Sequence, residues 1–356
     1  MRNSTEADEP LRLPFQPPVP PMLAAIGQIP GGDGWLYEPK WDGFRCLVYF
    51  DGERVYLQSR DSRPLGRYFP EVEVAIRDTL PGPMVLDGEI VVITEDGIEF
   101  GLLQQRLHPA ESRVRMLSET MPAAFVAFDL LADGDMDLRD APLKERHRRL
   151  QRLVTAERPP IFRTPWTTDA ALAAEWFQRF EGAGFDGVIA KRFDEPYQPG
   201  VRSMIKIKHL RTADCVVGGF RWAKNAEGTA VGSLLLGLYD DAGVLHHVGH
   251  TSSFKAAEKR ELATLLAPLV TDDDTTGFGR GRTPGTPSRW TSGADMSWVR
   301  LEPSLVCEVT FDHLQGDRFR HGTTFQRWRP DKPPEDCTYS QLDVAVPAEL
   351  RDLIGD

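Results

Sequence analysis

A short stretch of the chain carries the residues best suited to chemistry, and it reads Glu38-Pro39-Lys40-Trp41-Asp42-Gly43-Phe44-Arg45. Strand-like runs lie on both sides of it, Trp35–Glu38 before and Phe44–Phe50 after, which predicts Lys40 on a turn at the edge of a sheet. A lysine at such a place is usually a solvated surface charge. Here charged and small residues crowd around it between two strands, which favours a more specific role.

A lysine that acts as a nucleophile must first lose its proton. The free amine has a pKa of about 10.4, so deprotonation at pH 7 costs roughly 4.6 kcal/mol unless neighbours disfavour the charged form. Lys206 and Lys208 are candidates for such neighbours, by like-charge repulsion. They alternate with Ile205 and Ile207, which predicts both lysines on one face of a strand, although a half-exposed strand would show the same alternation.

An acidic residue stands inside one of the most apolar runs. Glu89 lies among the β-branched residues of the strand-like run Met84–Ile93. A carboxylate is costly to bury there without a partner, so its presence indicates function. Phe128, by contrast, would be read as a core residue from its apolar surroundings alone.

Taken in order, these segments resemble the motifs of the ATP-dependent DNA ligases, within the covalent nucleotidyltransferases. The nucleophile motif of that family, KxDGxR, is filled by Lys40, Asp42, Gly43 and Arg45. The family's other elements follow in order: Ser59-Arg60, Asp87-Gly88-Glu89, Phe128-Asp129-Leu130-Leu131, Asp186-Gly187-Val188-Ile189-Ala190-Lys191, Lys206-Ile207-Lys208 and Arg329-Pro330-Asp331-Lys332. The resemblance extends from about residue 20 to about residue 345, too far and too ordered for coincidence.

The resemblance implies a role for each element. Lys40 would be the catalytic nucleophile that attacks the α-phosphate of ATP and carries AMP as a covalent adduct. The residues that would bind ATP or AMP are Glu38, Arg45, Arg60, Glu89, Phe128, Ile189, Lys206, Lys208, Arg329 and Lys332. Glu89 and Asp186 would hold Mg²⁺ or Mn²⁺. Asp186 is one methylene shorter than the family's usual glutamate, so we expect it to reach a metal through water.

The resemblance implies that the substrates are ATP and nicked double-stranded DNA, and that the enzyme acts in DNA repair. AMP would pass to a DNA 5′-phosphate, and a 3′-hydroxyl would then displace it. Arg329 and Lys332 would reach the nucleotide by a hinge and orient pyrophosphate. Two basic clusters suit DNA: residues 191–224 have eight Lys and Arg against three acids, and residues 318–332 have five against one. The net charge of −11 discourages nonspecific coating of DNA.

Three other interpretations compete. An RNA ligase or a GTP-dependent capping-type enzyme shares the lysine and most motifs, but the WDGFR context and the long match through the second domain favour a DNA ligase. A NAD-dependent ligase would need an extra N-terminal domain and usually a zinc module, which the early Lys40 and the scattered cysteines oppose. A non-catalytic DNA-binding scaffold is disfavoured by the intact lysines and Glu89.

The elements that must position these residues change character near Lys208. A chain of 356 residues suits about two domains. Strands and helices such as Leu143–Val154 mix before Lys208, whereas short strands and one helix, Ala256–Leu266, follow it. We predict an α+β fold: a nucleotidyltransferase (adenylation) domain of antiparallel sheets and helices, then a β-barrel OB-fold domain. The predicted bounds are an extended lead-in at 1–22, the adenylation domain at 23–210, the OB-fold domain at 211–348 and a tail at 349–356.

Composition limits the class of protein further. Hydrophobic residues make up 41% and charged residues 27%, which excludes disorder for most of the chain. No run of 18 apolar residues and no apolar signal core occur, so we expect no membrane segment and no secretion. The four cysteines are too widely spaced for a CxxC zinc knuckle. We therefore expect a cytoplasmic protein with reduced thiols, acting as a monomer.

Overall fold

The computed structural model describes residues 9–94, 97–155, 159–179, 185–208, 211–279, 281–284, 297–312 and 314–342. They form two compact units, one made of the described residues up to 208 and the other of those from 211 onwards. The predicted tail at 349–356 lies outside the described residues. So do Phe180, Gly182 and Gly184, where the sequence pattern predicts the end of a helix that begins near Thr168, and part of the Thr-, Gly- and Pro-rich segment 271–293, for which it predicts a loop.

The first unit mixes strands and helices. Its strands are β1 (Leu23–Ile26), β2 (Trp35–Pro39), β3 (Phe44–Phe50), β4 (Val55–Ser59), β5 (Met84–Val91), β6 (Ile93–Thr94), β7 (Gly97–Ile98), β8 (Ala124–Asp133), β9 (Met136–Asp137), β10 (Ile161–Arg163), β11 (Val188–Arg192) and β12 (Arg202–Ile207). Its helices are α1 (Pro70–Thr79), α2 (Phe100–Gln105), α3 (Glu111–Thr120), α4 (Leu143–Leu153) and α5 (Ala170–Arg179).

Two sheets organise this unit. The smaller has the order β1-β12-β11-β2, and the larger has the order β10-β8-β5-β3-β4 with β9 paired to β8. Strands β3, β4, β5 and β8 pair antiparallel, whereas β10 runs parallel to β8 and β1 parallel to β12. The strands β6 and β7 form a separate hairpin, so the predicted strand Met84–Ile93 is divided after Val91.

The larger sheet is buried on both faces. In β3 the side chains of Cys46, Val48 and Phe50 face a core that includes Val72 and Ile76 of α1. The alternate residues Leu47 and Tyr49 face a second core that contains Met204 of β12 and Val19 of the lead-in. Burial on both faces explains why β5 and β8 lack the alternation of apolar and exposed polar residues; even the acidic residues Asp87, Glu89 and Asp129 within them are buried or partly buried.

A buried ion pair fastens α4 to the larger sheet. Asp129 of β8 accepts from Nε and Nη2 of Arg146 at 2.8 and 2.9 Å, and both side chains are almost fully buried. Arg146 also donates to the carbonyls of Ala141 and Glu195. These bonds satisfy the guanidinium that the helix places in the core, as burial of a charge requires.

The second unit is mostly β-structure. Its strands are β13 (Arg211–Trp222), β14 (Val231–Tyr239), β15 (Leu245–Thr251), β16 (Val299–Arg300), β17 (Val306–Phe311), β18 (Leu314–Gln315), β19 (Arg318–Phe319) and β20 (Thr324–Trp328). Its helix is α6 (Ala256–Leu266), with the predicted bounds.

The strands of this unit form a barrel. The sheet order is β15-β14-β13-β17-β20, with β16 paired to β13. A bridge between Thr251, at the end of β15, and Thr323, just before β20, joins the two edges of the sheet.

The four cysteines of the chain are buried free thiols. No helix in the described ranges is long and apolar enough to cross a membrane.

Candidate active site

Lys40 lies on the turn between β2 and β3, as predicted, and neighbouring groups fix that turn. The Lys40 amide donates to the carbonyl of Gly187 at 2.8 Å, and the Lys40 carbonyl accepts from the amide of Asp186 at 2.9 Å. Next to it, the buried indole of Trp41 donates to Oγ1 of Thr164 at 2.9 Å. The backbone of Lys40 is therefore held on both sides, and only its side chain extends from the turn.

Two glycines allow this close approach of backbones. A Cβ atom on Gly187 would meet the carbonyl oxygen of Ile207, and the φ of Gly187 is +120°, a conformation that suits glycine. A Cβ atom on Gly43 would meet the carbonyl of Ile90 and lie 2.8 Å from Cγ of Glu89. The segment Asp186–Lys191 corresponds to the family's EGxxxK motif, with aspartate in place of glutamate. Close backbone packing therefore requires glycine at position 43 of the KxDGxR motif and at position 187 of this EGxxxK-like motif.

Three lysines surround one buried carboxylate. Asp186 forms an ion pair with Nζ of Lys40 and a second with Nζ of Lys208 at 3.0 Å. Burial lowers the pKa of Lys206, and the nearby ammonium groups of Lys208 and Lys40 lower it further. Positive charge therefore exceeds negative charge in this cluster. Such a site favours an anion such as a phosphate group.

Phe128 forms one wall of the pocket because its strand is bulged. In the pairing of β5 with β8, Asp87 faces Asp129 and Gly88 faces Ala127, so Phe128 is an extra residue on β8. A bulge turns a side chain away from the regular alternation of the strand. The ring has the Arg45 guanidinium 4.4 Å and the Lys191 ammonium 4.7 Å from its centre.

Another wall is a row of residues across the smaller sheet. Glu38, Ile189 and Lys206 are direct cross-strand neighbours on β2, β11 and β12, so their side chains share a face. Glu38 is 3% exposed and pairs with Lys191 at 2.7 Å. Burial raises the pKa of Glu38 to about 6, although Lys191 opposes the shift. Its other oxygen, Oε1, is buried and makes no hydrogen bond within the described residues.

Two carboxylates of β5 flank Gly88 on one face. Asp87 is fully buried and accepts from Nε and Nη2 of Arg45, both at 2.6 Å. Glu89 is opposite Arg45 in the pairing of β3 with β5. Burial raises the pKa of Glu89 to about 7, against the opposing effects of Arg45 and Lys40. A cation close to Glu89 would reverse that shift and favour its charged form.

These walls enclose a cavity of about 180 Å³. The predicted site residues that line it are Glu38, Lys40, Arg45, Arg60, Glu89, Phe128, Ile189 and Lys206. Asp186 joins them through its ion pair with Lys40, and Lys208 joins them through its ion pair with Asp186. The cavity also contains Lys191, Arg202 and Met204, which the sequence did not single out as site residues. Lys191 is the last residue of the EGxxxK-like motif, so the motif could have identified it as a site residue from the sequence.

The remaining two predicted residues, Arg329 and Lys332, belong to the second unit. There Nη1 of Arg329 donates to both carboxylate oxygens of Asp214, at 2.9 and 3.0 Å, and Lys332 donates to Asp214 at 3.1 Å. Asp331 accepts from the other side of the Arg329 guanidinium. The side-chain amide of Gln341 accepts a hydrogen bond from the backbone amide of Asp214 and donates one to its carbonyl.

Carboxylates that could hold a metal ion are few. No three His, Cys, Asp or Glu side chains of the described chain converge as a metal-binding group. Glu89 and Asp186 remain as donors, both close to Lys40. Mg²⁺ is commonly held by one or two carboxylates together with substrate phosphates and water, so this donor set fits a metal that arrives with a nucleotide.

Comparison with known families agrees with this arrangement. The family described as "ATP dependent DNA ligase domain" matches residues 21–208, and "ATP dependent DNA ligase C terminal region" matches residues 227–332. The chain belongs to the ATP-dependent DNA ligases. It therefore uses ATP and a divalent metal ion to seal nicked DNA, as its family does.

Individual relatives cover nearly the whole chain. DNA ligase C of Mycobacterium tuberculosis is 50% identical over 357 residues, 97% of this chain and 99% of that protein. DNA ligase C1 of Mycolicibacterium smegmatis is 48% identical and covers 97% of this chain and 99% of its own length. A solved structure titled as a study of Lig E DNA ligases is 18% identical, with a TM-score of 0.54, and covers 87% of this chain and 98% of its own. That likeness concerns the fold alone. The predicted family, fold class and activity are confirmed.

Proposed function

We propose that Lys40 is the nucleophile of this ligase and carries AMP as a covalent intermediate. Its Nζ attacks the α-phosphorus of ATP, the bond to pyrophosphate breaks, and a phosphoramidate forms. The AMP then passes to the 5′-phosphate at a DNA nick, and the 3′-hydroxyl displaces it to close the strand. The observation that carries this proposal is the single cavity that contains Lys40 and seven other residues of the family's motifs.

The base of ATP would lie between Phe128 and Ile189. Phe128 offers a ring for stacking, and Ile189 lies on the face of the sheet that also carries Glu38. The orphaned Oε1 of Glu38 is an acceptor, and the exocyclic amino group of adenine is a donor. Guanine has a carbonyl oxygen at that position, which would face the carboxylate without a proton between them. This supports ATP over GTP as the nucleotide.

The triphosphate would meet the basic part of the cavity. Lys206 and Lys208 would contact the α-phosphate beside Lys40, and Arg60 would contribute a further positive charge. Arg329 and Lys332 would act on the β- and γ-phosphates, which leave as pyrophosphate in the first step. All three chemical steps are phosphoryl transfers, for which positioning and charge supply most of the catalysis.

A divalent cation, Mg²⁺ or Mn²⁺, would be held by Glu89 and Asp186. When bound, it would neutralise charge that develops on the phosphoryl oxygens. Asp186 is already paired with Lys40 and Lys208. One of its partners must therefore share or give up that carboxylate when a cation binds. This supports the expectation that Asp186 contacts the cation through water.

A relative named for DNA repair supports the biological setting that we propose. LigD of Mycobacterium tuberculosis, named a multifunctional non-homologous end joining DNA repair protein, is 32% identical over 89% of this chain, which spans 39% of that protein. We assign this ligase to DNA repair in the cytoplasm, acting as a monomer. Its two units would be the adenylation domain, from residue 23 to about residue 210, and the OB-fold domain, to about residue 348.

The decisive experiment is covalent labelling. The full chain is incubated with α-³²P-ATP and Mg²⁺, denatured and resolved on a gel. We expect a labelled band for the parent protein and none for Lys40→Ala. The matched control is Lys144→Ala, because Lys144 is an exposed lysine on α4 and alanine suits a helix. Label retained by Lys40→Ala would place the nucleophile elsewhere. Label from α-³²P-GTP alone would replace the ligase with a capping-type reaction.

A further inference from the structure

A tyrosine outside the recognised motifs connects two parts of the nucleotide pocket. Tyr197 lies between β11 and β12 and is 3% exposed. Its hydroxyl donates to Oδ2 of Asp87 at 2.7 Å and accepts from the amide of Met22 at 2.9 Å. Both capacities of a phenolic hydroxyl are therefore used, on partners 110 and 175 residues away along the chain.

The first of these partners controls Arg45. Asp87 is fully buried, and its two oxygens also receive the bidentate pair from Arg45 at 2.6 Å each. Planar pairing of this kind fixes the direction of a guanidinium as well as its distance. Arg45 then lies 4.4 Å from the centre of the Phe128 ring, where the base is proposed to stack.

The second partner belongs to the opposite wall. Residues 21–24 line the cavity, and the carbonyl of Met22 is 3.4 Å from Nη2 of Arg45. Tyr197 thus holds the segment that carries Met22 and the acid that holds Arg45. If the hydroxyl is removed, the Met22 amide loses its acceptor and Asp87 loses one of its donors. Unsatisfied buried groups of this kind drive local rearrangement.

We propose that Tyr197 is a positioning residue for ATP and AMP, acting through Asp87 and Arg45. This inference rests on the proposed function, in which Arg45 and Phe128 bind the nucleotide. Tyr197 does not touch the reacting atoms in this scheme. It sets the width of the pocket between residues 21–24 and Phe128. Its loss should weaken nucleotide binding more than the chemical step.

The test compares two buried tyrosines of the same core. Tyr197→Phe removes the hydroxyl in question. Tyr49→Phe removes a hydroxyl that donates to Oε1 of Gln58 at 3.3 Å. Tyr49 lies in the same cluster of buried side chains as Tyr197, but its hydroxyl has a different hydrogen-bond partner. Single-turnover formation of lysyl-AMP is measured against ATP concentration for the full chain. For Tyr197→Phe we expect the half-saturating ATP concentration to rise on the order of tenfold, with the rate at saturation within about twofold of the parent. For Tyr49→Phe we expect no change in either.

Two further variants separate the possible failures. Arg45→Ala should also raise the ATP requirement, and Tyr197→Phe should add little in that background, because both changes remove one interaction. If Arg45→Ala raises the requirement and Tyr197→Phe does not, the role of Tyr197 is overturned while the proposed function stands. If Arg45→Ala itself has no effect, the nucleotide-binding role of Arg45 fails and the inference fails with it. An equal effect of Tyr49→Phe would reduce Tyr197 to general core stability and overturn the proposal.

Discussion

Replacing Glu38 by glutamine should change which base the pocket accepts. Lys191 can only donate, and it holds one carboxylate oxygen of Glu38 at 2.7 Å. In Glu38→Gln the amide oxygen should therefore stay on Lys191, which leaves the NH₂ group where Oε1 now lies. That group would donate a hydrogen bond to the carbonyl of guanine. Toward adenine it would face another donor, the exocyclic amino group, and no hydrogen bond could form. The substitution should lower use of ATP and raise use of GTP.

The size of the effect follows from the burial of the contact. A hydrogen bond to a charged group contributes about 1.5–3 kcal/mol. At 1.4 kcal/mol per decade this corresponds to roughly a ten- to 150-fold change in the ratio of the two efficiencies. Glu38 is 3% exposed, so water cannot substitute for the missing partner. The upper part of that range is expected.

The assay is formation of the covalent nucleotidyl enzyme from labelled ATP and labelled GTP, in separate single-turnover series. A matched control is Glu71→Gln, which neutralises a largely buried carboxylate that pairs with Arg106 at 2.7 Å in the same unit. The control should leave the ratio of ATP to GTP efficiency unchanged. A folded Glu38→Gln protein with the parent ratio would refute the assignment of Oε1 to the base.

The same side chain predicts a dependence on pH. Burial raises the pKa of Glu38 to about 6, so the carboxyl is charged at pH 7.5 and gains a proton as the pH falls through about 6. The protonated form can donate to guanine. The preference of the parent for ATP over GTP should therefore weaken below about pH 6, whereas the Glu38→Gln variant should show no such transition. A parent ratio that is flat across this range would contradict the argument.

Three other predictions concern the steps and the fold. Lys40→Ala should still seal a pre-adenylated nick slowly, measured by gel, because the last attack does not use the nucleophile; sealing at background would assign Lys40 a second role. Arg329→Ala and Lys332→Ala should slow lysyl-AMP formation yet seal pre-adenylated DNA near the parent rate, because the β- and γ-phosphates that these residues bind have already left as pyrophosphate. Normal adenylation with failed sealing would indicate that these residues contact DNA instead. Asp129→Ala should lower the free energy of unfolding in urea by about 3–5 kcal/mol, because it leaves Arg146 buried without its partner; a loss below about 1 kcal/mol would show that the helix relaxes around the charge.

Elements with strong hydrophobic periodicity could be predicted from the sequence. The runs predicted as strands at Trp35–Glu38, Phe44–Phe50, Arg54–Ser59 and Ala124–Leu130 overlap β2, β3, β4 and β8. The helices α4 and α6 agree with their predicted bounds to within a residue. Elements that depend on distant partners could not be predicted. The short strands β1 and β12 are about 180 residues apart in the sequence, yet they pair in parallel. Nothing in the local sequence of either strand indicates such a distant partner. Helix α1 was missed because Val72, Val74 and Ile76 alternate with charged or small residues in a way typical of a strand.

The candidate site shows the same division. Lys40, Glu89 and the two alternating lysines carry local signals, since charge in an apolar or turn context is conspicuous. Tyr197 has none, because it stands in an aperiodic segment with two prolines nearby and gains its role only from Asp87 and Met22. Asp214 is likewise an ordinary strand acid until Arg329 and Lys332 meet it.

The bulge at Phe128 has a consequence for how this ligase can vary. In a regular strand, adding or removing one residue turns every later side chain to the opposite face. Here Ala127 and Leu130 both face the same core, and the extra residue between them absorbs the difference. The side chain at position 128 can therefore change in size or chemistry without repacking that core. Natural or engineered variants can adapt the contact with the base by substitution at a single position. A deletion of residue 128 would restore the regular alternation with Ala127 and Leu130 still on the core face, and would remove this wall of the pocket.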